Sequence, residues 1–206
     1  MNLPNKLTVF RVLLVPVLII VGYVGAYASR GTLFLGVPVY MWIMNLIFVI
    51  ASITDKLDGT IARKRNLVTN FGKFLDPIAD KILVLAALIM LVELRKIPAW
   101  IPIIVAFREF LVSGYRLIAA KEGGKVIAAS IWGKLKTVTQ MIAIILIFMD
   151  KFSYFDFARS AVRVEMSVPF LVINVLASVI LTISVVATLF SGYDYLKDGK
   201  DLLKDA

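Results

Sequence analysis

Six apolar blocks, each about the length of a membrane-spanning helix, dominate this chain of 206 residues. A helix that crosses a bilayer needs roughly 20 mostly apolar residues. The hydrophobic content of 60% also exceeds the ~45–50% that is usual for soluble domains. The pattern predicts an all-α, polytopic membrane protein with six transmembrane helices in a single domain that covers residues 1–206. The predicted helices cover residues 7–27, 39–54 with a polar continuation to about 65, 71–94, 100–120, 131–149 and 168–193.

The charged residues predict the orientation and the kind of partner. Six spans place both termini on one side, and most of the 23 lysine and arginine residues fall on that side. Because basic residues concentrate in cytoplasmic loops, we expect both termini at the cytoplasmic face of the cell membrane. A net charge of +9 on a membrane protein favours anionic lipids or phosphate-bearing substrates and argues against nucleic acid as a partner.

Four aspartates interrupt the apolar pattern at the predicted cytoplasmic junction of the second and third helices. Asp55 and Asp58 are three residues apart, and Asp76 and Asp80 are four apart, so each pair shares a helix face. If the two helices are neighbours, the four carboxylates converge and repel one another. Hard divalent cations such as Mg²⁺ or Mn²⁺ prefer oxygen ligands and remove that repulsion. The chain has no histidine and no cysteine, which excludes a histidine base and thiolate chemistry.

Two glycines and an arginine accompany the acids. Gly59 and Gly72 lie on the acidic helix faces, where a missing side chain leaves room for a ligand, and Arg63 can bind a phosphate through two hydrogen bonds. The alternative is structural: Asp55 and Asp58 pair with Lys56, Arg63 or Lys81 at a cytoplasmic helix end, and the glycines only allow close helix packing. Either acidic pair alone fits this alternative, but both pairs together with the glycines and the arginine favour a phosphate and metal site.

In chain order, these residues form the pattern Asp55-x2-Asp58-Gly59-x2-Ala62-Arg63-x8-Gly72-x3-Asp76-x3-Asp80. The pattern resembles the complete signature of the CDP-alcohol phosphotransferase family, at all eight of its positions. The resemblance implies a six-helix membrane enzyme, usually a homodimer, with two divalent cations, Mg²⁺ or Mn²⁺. It implies that an alcohol attacks the β-phosphorus of a CDP-linked donor and that CMP leaves.

The resemblance also assigns roles to single residues. Asp55, Asp58 and Asp76 would be metal ligands, and Asp80 would be the general base, with a further contact to a metal. The donor, CDP-diacylglycerol, would be bound by Asn5, Thr8, Gly59, Ala62, Arg63 and Gly72. For Asn5 and Thr8, which share a helix face with Arg11, an N-cap with an interfacial anchor is an equal alternative.

Several further stretches bear on the acceptor. The chain resembles the bacterial phosphatidylglycerophosphate synthases of this family, whose acceptor is sn-glycerol 3-phosphate, in the stretches NLPNKLTVFRVLLVPV, NLVTNFGKFLDPIADK, FREFLVSGYR and WGKLKT. An acceptor that carries a phosphate needs a basic cluster, and one is present near the cytoplasmic ends of the fourth and fifth helices. The predicted acceptor-phosphate residues are Arg108, Arg116, Lys134 and Lys136. Taken singly, each of these residues is also explained by the cytoplasmic excess of basic residues.

Other functions remain open from the sequence. The same chemistry could serve a different acceptor, such as inositol phosphate or phosphatidylglycerol. A cation transporter is the alternative from another class, because intramembrane carboxylates mark ion paths. A transport path should have acids along its depth, however, whereas the four aspartates cluster at one membrane face. No function is predicted for the loop at residues 150–165.

Overall fold

A computed structural model of the chain describes residues 3–28, 31–64, 70–121, 131–159 and 166–198. Within these residues the fold consists of α-helices, two short 3₁₀ turns and no β-strand. The helices are α1 (Leu3–Ala28), α2 (Val39–Lys64), α3 (Asn70–Glu93), α4 (Trp100–Lys121), α5 (Ile131–Phe148) and α6 (Val168–Asp198).

The helices agree closely with the apolar blocks. The predicted polar continuation of the second helix is confirmed, because α2 runs unbroken beyond its apolar part, Val39–Thr54. Within the described residues, three stretches are long and apolar enough to span a membrane by themselves: Asn5–Ala28, Ile131–Phe148 and Val168–Lys197. The all-α membrane fold is therefore confirmed, whereas full crossing by α2, α3 and α4 stays a prediction.

Two helix groups meet in one apolar core. α1 packs against α2 and α3, while α6 packs against α5 and α4. Phe48 of α2 and Phe148 of α5 are fully buried, with ring centroids 6.5 Å apart, and they join the two groups. Many large apolar side chains, such as Ile103 and Phe107 of α4, instead face outward. An apolar outer surface is what a helix bundle presents to lipid tails.

Two glycines bring α1 close to its neighbours. A Cβ atom at Gly25 would lie 2.1 Å from the Cβ of Tyr40, and one at Gly22 would lie 2.4 Å from the Cε of Met90. No side chain fits at the first distance unless the backbone moves. These glycines therefore set the separation of α1 from α2 and α3, as small residues commonly do between membrane helices.

A buried polar network fixes the far end of the bundle, where α3 meets α4 and α5 meets α6. The Lys96 ammonium group donates to the carbonyl oxygens of residues 150, 151 and 152, at 2.8, 2.7 and 3.3 Å. Asn174 Nδ2 donates to Asp150 Oδ2 at 2.6 Å. Burial lowers the pKa of Lys96 to about 8 against the opposing effect of Asp150 and Asp156, and burial raises the pKa of Asp150. The described part of the 150–165 loop is thus held by buried polar side chains of the α3–α4 connection and of α6.

Candidate active site

A cavity of about 560 Å³ opens between α3, α4, α5 and α6. Its wall includes the predicted base together with every one of the predicted acceptor-phosphate residues: Asp80, Arg108, Arg116, Lys134 and Lys136. These residues come from three helices and are separated by up to 56 positions in the chain. The structure therefore brings into one cavity the residues that the sequence assigned to proton transfer and to acceptor binding.

The cavity is strongly basic. Lys81 joins the four predicted cations in the wall, and among the side chains that the structure describes only two carboxylates, Asp80 and Glu109, oppose them there. Arg116 and Lys134 are exposed, whereas Lys136 is buried. The charge suits an anionic ligand, and arginine presents the planar pair of donors that matches a phosphate.

Glu109 is the counter-ion of this cluster. Its Oε1 atom accepts from Arg108 Nη1 at 2.9 Å and from Lys136 Nζ at 2.6 Å. One carboxylate thereby links a cation of its own helix to a cation of α5. The link to α5 could not be predicted from the sequence, because nothing local indicates that α5 packs here.

α6 contributes two side chains that the sequence-based assignment missed. Ser191 Oγ accepts from Arg108 Nη2 at 2.5 Å, and the Tyr195 hydroxyl accepts from Arg116 Nη2 at 2.5 Å. Both α6 residues are buried, and Tyr195 also lines the cavity. The available signal was the polar end, SGYDYLKD, of an otherwise apolar helix.

A second hydrogen-bonded chain ties α3 to α4 next to the predicted base. The Lys81 ammonium group donates to the Ser113 hydroxyl, which donates to the Glu109 carbonyl oxygen at 2.6 Å. Lys81 is adjacent to Asp80, which is half-buried in the cavity wall. This contact fixes the turn of α3 that carries Asp80 relative to the basic cluster on α4.

The predicted donor residues on α1 lie on its inward face. Asn5 and Thr8 are buried, as is Arg11 one turn further along. Their three-residue spacing places them together on the side of α1 that packs against α2 and α3. Burial of three polar side chains in a row fits a polar site at this end of the bundle, and the assigned donor role stays a prediction.

The remaining predicted residues belong to helices whose side chains the structure does not describe at these positions. Asp55, Asp58, Gly59, Ala62 and Arg63 belong to α2, and Gly72 and Asp76 belong to α3. Their side chains lie outside the described part of the chain, so their mutual geometry stays a prediction.

The elements that carry the two acidic pairs are nevertheless neighbours. α2 and α3 contact each other, α2 ends at Lys64, and α3 begins at Asn70, so both pairs lie at one end of the bundle. The chain offers carboxylate oxygens and no imidazole or thiolate, a donor set that fits hard divalent cations. No group of three potential metal-ligating residues occurs among the side chains that the structure describes, and of the four predicted ligands these include only Asp80.

Known proteins resemble this chain over most of its length. The sequence model of the family described as CDP-alcohol phosphatidyltransferase matches residues 1–190. A CDP-diacylglycerol–glycerol-3-phosphate 3-phosphatidyltransferase of Bacillus subtilis (strain 168) is 41% identical, over 98% of this chain and 97% of its own. Proteins with the same name from Rickettsia typhi and Haemophilus influenzae are 39% and 36% identical, over 95% and 99% of this chain and 96% of each relative.

The match over residues 1–190 includes the whole eight-residue signature and all but the last turns of α6. The family resemblance of the eight-residue signature is therefore confirmed. The chain belongs to the CDP-alcohol phosphatidyltransferase family.

Proposed function

We propose that this protein transfers the phosphatidyl group of CDP-diacylglycerol to sn-glycerol 3-phosphate, giving phosphatidylglycerophosphate and CMP. The names of the relatives support both substrates. The observation that carries the proposal is the cavity in which the predicted base, Asp80, shares a wall with the four predicted acceptor-binding cations. An acceptor with a hydroxyl at one end and a phosphate at the other fits such a wall.

The basic cluster favours an acceptor that carries a phosphate monoester. Arg116 and Lys134 are exposed, so they can attract the anion, while Arg108 and Lys136 lie deeper and are already oriented by Glu109. The binding of a neutral alcohol does not require a cluster of positively charged side chains. Phosphatidylglycerol, with one diester charge, needs less of it, whereas inositol phosphate meets the same requirement and is the principal rival.

Asp80 would act as the general base. It would take the proton of the acceptor hydroxyl while the oxygen forms a bond to the β-phosphorus of the donor and the bond from that phosphorus to CMP breaks. Phosphoryl transfer needs mainly positioning and charge neutralisation from the protein. The Lys81–Ser113 contact supports this role, because it holds the neighbouring backbone of Asp80 against α4.

Proteins of this family use divalent cations. For this chain we propose two, Mg²⁺ or Mn²⁺, bound by Asp55, Asp58, Asp76 and Asp80. When bound, the cations supply charge neutralisation for the donor pyrophosphate and the leaving CMP.

The donor would be bound at the same end of the bundle. We propose that Asn5, Thr8, Gly59, Ala62, Arg63 and Gly72 form the cytidine and phosphate pocket. A glycine beside a phosphate lets the backbone approach, and an arginine can bind it with two hydrogen bonds. The two acyl chains would stay among the membrane lipids that surround the apolar outer face.

The proposed setting is the cytoplasmic membrane, with both termini and the active site on the cytoplasmic side. The excess of lysine and arginine at that end of the helices supports this orientation. Cysteine scanning of the natively cysteine-free chain would test it, because new cysteines near residues 121–130 should react only with a reagent that enters the cytoplasm. We also propose a homodimer, which light scattering in detergent would test.

An acceptor panel tests the function. The purified protein would be given CDP-diacylglycerol and Mg²⁺, and CMP release would be measured with glycerol 3-phosphate, inositol phosphate, phosphatidylglycerol and serine in separate reactions. We expect release with glycerol 3-phosphate alone. Release with inositol phosphate alone would preserve the chemistry and overturn the acceptor, and no release by the folded protein with any acceptor would reject the proposal.

A further inference from the structure

We propose that Tyr195, near the end of α6, is a positioning residue of the acceptor site: its ring and hydroxyl hold the guanidinium groups of Arg108 and Arg116 together for one phosphate. The inference rests on the proposed function and deepens it. It adds α6 to a site that the sequence assigned to α4 and α5.

The contacts of Tyr195 are made with both arginines. The Cζ atoms of Arg108 and Arg116 lie 5.7 and 5.5 Å from the centroid of its ring, within the range of a cation–π interaction. Its hydroxyl accepts from Arg116 Nη2 at 2.5 Å. Tyr195 is only 1% exposed, so its ring is shielded from water although Arg116 itself is exposed.

Two arginines at this spacing do not converge by themselves. Arg108 and Arg116 are eight residues apart on α4, which is about 12 Å along a helix axis at 1.5 Å per residue. Their like charges also repel each other. The shared aromatic ring of Tyr195 attracts both guanidinium groups, so it opposes the repulsion and keeps both of them close to one ring before a ligand arrives.

The two arginines are held to different degrees. Arg108 donates to Glu109 of its own helix and to Ser191 of α6, so two helices fix its orientation. Its buried Nε atom has no acceptor among the described residues. Arg116 is exposed, and its recorded contacts in the described part of the chain are those with Tyr195. Removal of the Tyr195 side chain should therefore leave the Arg116 guanidinium group less ordered than that of Arg108.

The consequence is preorganisation of the acceptor site alone. A side chain that is already ordered loses less conformational entropy when a ligand binds. Tyr195 contacts cations of the predicted acceptor group, whereas the predicted donor residues lie on α1, α2 and α3. A defect at Tyr195 should therefore raise the KM for the acceptor and leave the KM for the donor largely unchanged.

Two substitutions and a matched control test this role. Tyr195→Phe removes the hydroxyl and keeps the ring, and we expect the KM for glycerol 3-phosphate to rise about 3–10-fold. Tyr195→Leu removes both contacts, and a rise of roughly 10–100-fold is expected. Tyr193→Phe, at a side chain 63% exposed on the same helix, should behave like the wild type. The KM for CDP-diacylglycerol should change less than about twofold in the phenylalanine variants, since they leave packing intact.

Calorimetric titration with inorganic phosphate provides a readout that needs no turnover. We expect weaker phosphate binding by Tyr195→Phe than by Tyr193→Phe. Equal phosphate affinities, or equal rises in both KM values, would overturn the positioning role while the proposed function stands. If the folded wild type bound phosphate but released no CMP with glycerol 3-phosphate, the proposed function would fail, and weaker phosphate binding by Tyr195→Phe would still support the role of Tyr195.

Discussion

Glu109→Gln tests the buried charge cluster of the cavity. The carboxylate accepts from Arg108 and Lys136 at 2.9 and 2.6 Å, and the three side chains are 13%, 12% and 7% exposed. Glutamine keeps the shape and removes the negative charge, which leaves two buried cations without their counter-ion. Breaking a buried ion pair from one side typically costs about 3–5 kcal/mol. Because Arg108 keeps Ser191 and the amide oxygen can still accept, we expect a loss of about 2–3 kcal/mol.

The assay is unfolding by SDS in mixed micelles, followed by circular dichroism. Glu93→Gln is the matched control, because Glu93 is the exposed last residue of α3, away from the cavity. A surface substitution of this kind should change the free energy of unfolding by no more than about 0.5 kcal/mol. If Glu109→Gln were as mild as the control, the ion cluster would not contribute to stability as described.

A double variant separates charge pairing from general damage. Adding Lys136→Met to Glu109→Gln removes one of the two uncompensated cations. The combined loss of stability should therefore be smaller than the sum of the separate losses, by on the order of 1–2 kcal/mol. Strictly additive losses would contradict a direct interaction between Glu109 and Lys136.

Three further outcomes are expected. EDTA should stop CMP release, and Mg²⁺ or Mn²⁺ should restore it; full activity in the chelator would contradict the metal assignment. Lys134→Ala should raise the KM for the acceptor at least about tenfold, as expected for loss of a charged hydrogen bond, and should change the KM for the donor little. Equal changes in the two KM values would show that Lys134 does not belong to the acceptor site. Burial lowers the pKa of Lys96 to about 8, below the ordinary 10.5. As the pH rises, the folded state therefore loses this proton at a lower pH than the unfolded state does. Thermal stability should therefore rise as the pH increases from about 8 to 10. The Lys96→Met variant should not show this rise. If it did, Lys96 would not be the source of the pH dependence.

The helices could be predicted because each is a continuous apolar block. The polar ends were less certain: α1 begins at Leu3 and not near residue 7, and α6 continues to Asp198 and not only to residue 193. At these ends the residues are polar or charged, so hydropathy no longer indicates the helix, and packing against neighbouring helices extends it.

The cavity was only partly predictable. Asp80 and the four cations could be assigned because signature spacing and charge are properties of the sequence. The contacts of Glu109 with Lys136, and of Ser191 and Tyr195 with the arginines, depend on how α5 and α6 pack against α4. Nothing in SGYDYLKD distinguishes a wall of the cavity from an aromatic anchor at the membrane surface.

Transfer of labelled glycerol 3-phosphate into lipid tests the central claim most directly. The purified protein would be incubated with CDP-diacylglycerol, Mg²⁺ and radiolabelled glycerol 3-phosphate, and the organic phase would be counted and examined by mass spectrometry. Asp80→Asn, with its fold checked by circular dichroism, is the comparison. We predict labelled lipid with the mass of phosphatidylglycerophosphate from the wild type and none above background from Asp80→Asn. Labelled lipid formed equally well by Asp80→Asn, or none formed by the folded wild type, would contradict the account.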